Sequence, residues 1–206
     1  MAPPTQLKCR DLKSGDIMVQ QSLGNVPGKL IAFGQAMTGH KHTELIHAGI
    51  MFDTSFIIEA LGGGVLASDL RVQNVKCGYL VYRSRKPDLG TIAGNLAKLL
   101  FDLHGTNKNM SYSTVGAVKS IGSAKPAKSA SNLDGVLDKI FEGKSSPFFC
   151  SQFVVVTYQA AGGQIGMSPS SVFPLDDARV APARLASMLD ASPHFDRLGY
   201  MLPGER

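Results

Sequence analysis

Ile46-His47-Ala48-Gly49-Ile50-Met51-Phe52, Asp53-Thr54, Ser55-Phe56-Ile57-Ile58-Glu59-Ala60 is the stretch on which the reading of the fold turns. Two apolar runs rich in β-branched residues flank a two-residue polar break, which predicts two antiparallel strands joined at Asp53-Thr54. Gly62-Gly63-Gly64 closes the second run and Val65-Leu66 begins another element, so the pattern is that of a β-meander. Upstream, Leu12 to Gly15 is a turn feeding the strand Asp16-Ile17-Met18-Val19. Downstream, Tyr79-Leu80-Val81-Tyr82 adds a strand that ends at the charged Arg83 to Lys86 and at Pro87.

Helical spacing takes over from about Thr91 to His104, where Ile92, Leu96, Leu99, Leu100 and Leu103 share a face and Gly105 supplies a stop. Phe149 to Ala161 reads as a buried helix stopped by Gly162-Gly163, with Val154-Val155-Val156 leaving a strand open as the alternative. Shorter helical pieces are expected at Leu30 to Met37 and at Leu133 to Phe141, the second with Asn132 as N-cap. Between Thr106 and Ser131 the chain is rich in Gly, Ser, Asn and Lys, which predicts a long flap rather than a domain linker. The expected class is α+β, a small antiparallel sheet packed on helices within a single domain spanning residues 1–206.

At 206 residues, with 44% hydrophobic and 18% charged, the chain is long enough to bury one sizeable core. No run approaches the roughly 18 apolar residues of a membrane span. Met1 to Ser14 lacks the apolar segment of a secretory signal, so the expectation is synthesis in the cytoplasm without a signal peptide. The net charge of +5 suits an anionic partner, yet Trp is absent and the Tyr and Phe residues do not interleave with the basic ones, which argues against a nucleic-acid platform. Three cysteines, Cys9, Cys77 and Cys150, form no CxxC pair and are treated as thiols rather than as a disulfide framework or a zinc site.

Among these thiols Cys150 has the distinctive setting, Ser-Pro-Phe-Phe-Cys-Ser-Gln-Phe, at the expected start of the buried helix. Backbone N–H groups in a first helical turn lack intrahelical partners and favour an anion, so they lower a thiol pKa and suit an oxyanion. The other reading, an inert core cysteine beside two Phe, stays open. His47 is a polar residue in an apolar strand with the small neighbours Ala48 and Gly49, which leaves room for a thiol and a substrate; a hydrogen-bonded core histidine is its alternative. Glu59 interrupts the next strand, and since paired strands lie about 4.8 Å apart it is placed to orient the imidazole or, alternatively, to face solvent. His40, His42, Glu44 and His47 together raise the question of a metal site, but their spacing matches neither HExxH nor a zinc finger, and no metal or organic cofactor is expected.

Several separated motifs, taken in order, resemble the circularly permuted, papain-like branch of the NlpC/P60 superfamily, close to its YiiX/YaeF-like group. They are Gly15-Asp16-Ile17, His47-Ala48-Gly49-Ile50, Ile57-Ile58-Glu59-Ala60 with Gly63-Gly64-Val65, Tyr79 to Arg83, and Phe149 to Val154. The tail from Val180 to Leu185 and Ser192-Pro193-His194-Phe195 is similar as well. The order His, acid, Cys is the distinguishing feature. The resemblance implies a cysteine hydrolase with Cys150 as nucleophile, His47 as base and Glu59 as orienting acid, without a cofactor. It implies peptidoglycan stem-peptide amides as the leading substrate class. For a chain without a signal peptide that suggests an antibacterial toxin delivered to a target-cell periplasm by secretion machinery such as type VI, with an immunity protein as partner. A lipid or acyl-group amidase, thioesterase or acyltransferase of the same fold is the first alternative, and a noncatalytic binding module the second.

Overall fold

The computed structural model describes residues 5–22, 45–61, 64–73, 77–106, 149–174 and 180–202. In chain order these form β1 (Gln6–Leu7), a 3-10 turn (Cys9–Asp11), β2 (Ile17–Ser22), β3 (Leu45–Met51), β4 (Phe56–Leu61), β5 (Gly64–Asp69), β6 (Cys77–Ser84), α1 (Pro87–Thr106), α2 (Phe149–Gln164), α3 (Pro169–Val172), α4 (Pro182–Ala191) and β7 (Phe195–Met201). The expected helices at Leu30–Met37 and Leu133–Phe141, the flap from residue 107 onward, and His40, His42 and Glu44 lie outside the described residues.

The strands make one seven-stranded sheet in the order β1-β7-β6-β2-β3-β4-β5. The meander β3-β4-β5 is antiparallel throughout, and its first turn is held by Asp53, whose Oδ1 accepts the Ser55 and Phe56 N–H groups at 2.7 and 2.8 Å. The α+β class stands, but the sheet is larger than expected and mixed, because β1 pairs parallel to β7. Strand β2 is central, between β6 and β3, and its run Ile17-Met18-Val19 is buried on both faces, as a continuous apolar run requires.

Alternation along these strands divides the core. Val19, Ala48, Ile50 and Ile58 face Leu96 and Leu100 of α1 and Phe153 and Val154 of α2. Met18, Met51, Ile57, Tyr79 and Val81 face the other way and are covered by the N-terminal Leu7, Cys9 and Leu12.

Two helix boundaries differ from the sequence reading. Helix α1 starts at Pro87, because a proline that ends a strand also fits the first turn of a helix, where its missing N–H is not needed. Helix α2 runs through Gly162 and Gly163 to Gln164, and the strand alternative for its Val triplet falls away. Gly162 is there for close packing, since a Cβ at that position would sit 2.6 Å from Val172 Cγ2. The helix ends instead at Gly166, which takes φ +74°. There Met167 N–H reaches Gly162 O at 2.9 Å and Gly166 N–H reaches Gly163 O at 3.2 Å, the paired bonds of a Schellman cap.

Helix α2 is fixed to the sheet two turns beyond Cys150 by Tyr158. Its ring sits edge-on to Phe173 and Phe195, with centroids 6.2 and 5.2 Å away, and its hydroxyl donates to Gly15 O. The turn that holds Gly15 is itself tied down. Gly15 N–H donates to Met51 O at 2.7 Å and Met51 N–H donates to Asp16 O at 2.8 Å. Arg83 grips the buried Asp16 carboxylate with two 2.7 Å bonds and donates to Asp11 O at 2.8 Å. The Gly-Asp pair thus connects β2, β3, β6 and α2, the elements that carry the candidate site and its supports.

Candidate active site

Strand register decides which polar groups meet. Gly49 lies directly opposite Glu59 in the β3–β4 pair, so His47, two residues before Gly49, is the diagonal neighbour of Glu59 on the same face. His47 Nε2 lies 3.2 Å from Glu59 Oε1, with 12% of the His47 side chain and 3% of the Glu59 side chain exposed. The two atoms sit at ion-pair distance, and the carboxylate favours the protonated imidazole.

Glycine at 49 is needed for this contact. A Cβ there would lie 2.8 Å from Ile58 O and 2.8 Å from the Ile57 side chain, so β4 would have to move outward and take Glu59 with it. Gly49→Ala is expected to cost about 1–3 kcal/mol of stability and to slow labelling of Cys150. Thermal melts and peptide-mapped alkylation check both effects, and a variant that melts and labels like the native protein would show that β4 has slack.

The ladder between β3 and β4 ends at Gly49↔Glu59, although β3 reaches back to Leu45 and β4 runs on to Leu61, paired there with β5. Met51 donates its N–H toward β2 and Phe52 toward β4. Backbone groups alternate along a strand, so the Ala48 N–H points to the β4 side, beyond the last rung of that ladder. Helix α2 packs over β3 and β4, and Cys150, its second residue, brings a thiol to this seam, where the Ala48 N–H hydrogen-bonds to the sulfur. The Ser151 hydroxyl lies 3.9 Å from Cys150 Sγ. His47, Glu59 and Cys150, three residues singled out from distant parts of the sequence, are therefore brought together.

Electrostatics separates the three thiols. Burial raises all of them, and for Cys9 and Cys77 it prevails. Cys150 is only 3% exposed, yet burial is outweighed by hydrogen bonding and charge interaction with His47, helped by the Ala48 N–H and Ser151, and its pKa is lowered. His47 shows the reciprocal effect. Burial disfavours its charged form, but hydrogen bonds to Cys150 and Glu59 and the charges of both push it up to about 9. The arrangement favours a thiolate–imidazolium pair.

Further groups at the site carry no signature in the sequence. Gln20 is 6% exposed and lies directly opposite His47 in the β2–β3 pair, and the half-buried Cys77 meets the Gln20 side chain. Two of the four exposed large hydrophobic side chains among the described residues share the Glu59 face. Leu61 follows Glu59 on it and Leu66 pairs directly with Glu59; they are 41% and 43% exposed. No group of His, Cys, Asp and Glu among the described residues could hold a metal ion, and no described helix is long and apolar enough to cross a membrane. No protein-family model, curated protein or solved structure matches this chain.

Proposed function

We propose that the chain is a cysteine hydrolase of the permuted papain-like kind, with Cys150 as nucleophile, His47 as general base and acid, and Glu59 as the carboxylate that orients the imidazole. The observation that supports this most strongly is the meeting of a helix-start thiol with an imidazole that is backed by a buried carboxylate. In the reaction the Cys150 sulfur adds to a substrate carbonyl, and N–H groups of the first turn of α2 stabilise the oxyanion. His47 gives its proton to the leaving amine as the C–N bond breaks, leaving a thioester. Water then adds to the thioester as His47 takes its proton, the C–S bond breaks, and the carboxylic acid leaves with the thiolate–imidazolium pair restored.

Amide bonds of peptidoglycan stem peptides are the leading substrate class, supported by the resemblance and by a net charge of +5 that suits an anionic wall. Such an enzyme fits an antibacterial toxin carried by secretion machinery and countered by an immunity protein. The exposed Leu61 and Leu66 beside Glu59 favour a second reading, hydrolysis or transfer of an apolar acyl group. Incubation of purified sacculi with the native protein and with Cys150→Ala, followed by mass analysis of the released peptides, tests the first. New stem-peptide termini released by the native protein alone are expected. Intact sacculi, with turnover of an acyl thioester instead, would favour the second.

The charge state gives a pH dependence. His47 carries its proton up to about 9, and the lowered Cys150 pKa keeps the sulfur ionised below the ordinary thiol range. kcat/KM is expected to rise at a lower pH than an ordinary thiol would allow and to fall as the pH passes about 9, where the proton for the leaving group is lost. An isolated thiol would do the opposite, with activity still climbing there as thiolate forms.

A further inference from the structure

The thiol and Glu59 occupy two sides of His47, and register puts Gln20 on a third. Gln20 and His47 are directly opposed across the β2–β3 pair, so they share a face with Cβ atoms about 4.5–5.5 Å apart. Gln20 follows the buried Ile17-Met18-Val19 and is itself 6% exposed. A buried amide in a central strand costs stability unless it is partnered, and the partner here is the Cys77 thiol on β6. A bulge falls at the same place, as the pairing steps from Gln20↔His47 to Gln21↔Leu45 and leaves Ile46 without a rung. Bulges next to functional groups re-aim a side chain, and this one lies directly beside His47.

We propose that Gln20 is a positioning residue for His47. It fills the β2 side of the imidazole while Glu59 fills the β4 side, and its contact with Cys77 holds it there, so the ring keeps one orientation toward Cys150. The inference rests on reading Cys150 and His47 as nucleophile and base. Gln20 touches neither substrate nor the Cys150 sulfur in this role and acts through the ring.

Two measurements test it. In a Cys150→Ala background, where the thiol cannot perturb the ring, His47 is titrated by NMR with and without Gln20→Glu, its signals assigned by comparison with His47→Gln. A carboxylate of nearly the same shape facing the ring raises the His47 pKa by about one unit. In the otherwise native chain, Gln20→Ala slows iodoacetamide alkylation of Cys150 on the order of tenfold near neutral pH, with labelling of Cys9 unchanged. A His47 titration unmoved by Gln20→Glu, or native-rate labelling in Gln20→Ala, overturns the proposal. If Gln20→Ala does not fold, the titration decides alone. Equal reactivity of Cys150 and Cys9 in the unaltered protein would instead remove the hydrolase reading, while the titration would still report whether Gln20 faces the ring.

Discussion

Cys150→Ser and His47→Ala are each expected to lower turnover by about a thousandfold or more while leaving the fold intact. Serine nearly matches cysteine in size, so it fills the 3% exposed position without opening a cavity. What it loses is acidity. The site stabilises a thiolate by drawing the Cys150 pKa down toward the imidazolium, and a hydroxyl lies too far above that range for the same pair to form. In the proposed mechanism His47→Ala removes the counter-charge from the sulfur and the proton from the leaving group together. Because the two residues act as a unit, the double variant is expected to be little worse than either single one. Product release measured across the three variants, with circular dichroism to confirm folding, checks this; a His47→Ala protein with more than a tenth of native turnover would place the base elsewhere.

Gly15→Ala is expected to destabilise the protein by about 3 kcal/mol or more. Gly15 sits at φ +86°, where a side chain is strained, and a Cβ there would lie 2.0 Å from Gly90 O and 2.4 Å from Gly90 C. Those are backbone atoms in the first turn of α1, so no rotamer change relieves the clash. The turn must shift, and with it the Gly15 O that accepts from Tyr158 and the Asp16 carboxylate held by Arg83. Chemical denaturation of the variant measures the loss. A change below about 1 kcal/mol would mean that the turn relaxes freely and does not clamp α2 against the sheet.

The hairpin from Leu45 to Leu61 is legible because its β-branched runs and Asp53 turn carry local signals, and the residue types of Cys150, His47 and Glu59 single them out as candidates that the fold brings together. Other features depend on long-range pairing. Strand β7 has no clear local signal because Asp196 and Arg197 break its apolar alternation; in the fold they turn to ion pairs with Arg85 and Asp190. Strand β1 is two residues long and exists only because β7 lies beside it. Gly162-Gly163 after an apolar run reads locally as a helix stop, whereas Gly162 serves packing and Gly166 supplies the cap. Gln20 and the Ala48 N–H are invisible in one dimension, since a single Gln in a strand has no chemical signature and a backbone donor is freed only where a ladder ends.

Competitive alkylation of the three cysteines tests the account most directly. A small electrophile is applied in limiting amount near neutral pH, and the modified sites are mapped by peptide mass analysis in the native protein and in His47→Ala. Cys150 is expected to be modified first, because its thiol is drawn down by His47 while burial pushes Cys9 and Cys77 up, and its lead is expected to vanish in His47→Ala. Labelling of Cys150 no faster than Cys9 or Cys77, or unchanged by the loss of His47, would contradict the claim that these residues form an activated nucleophile.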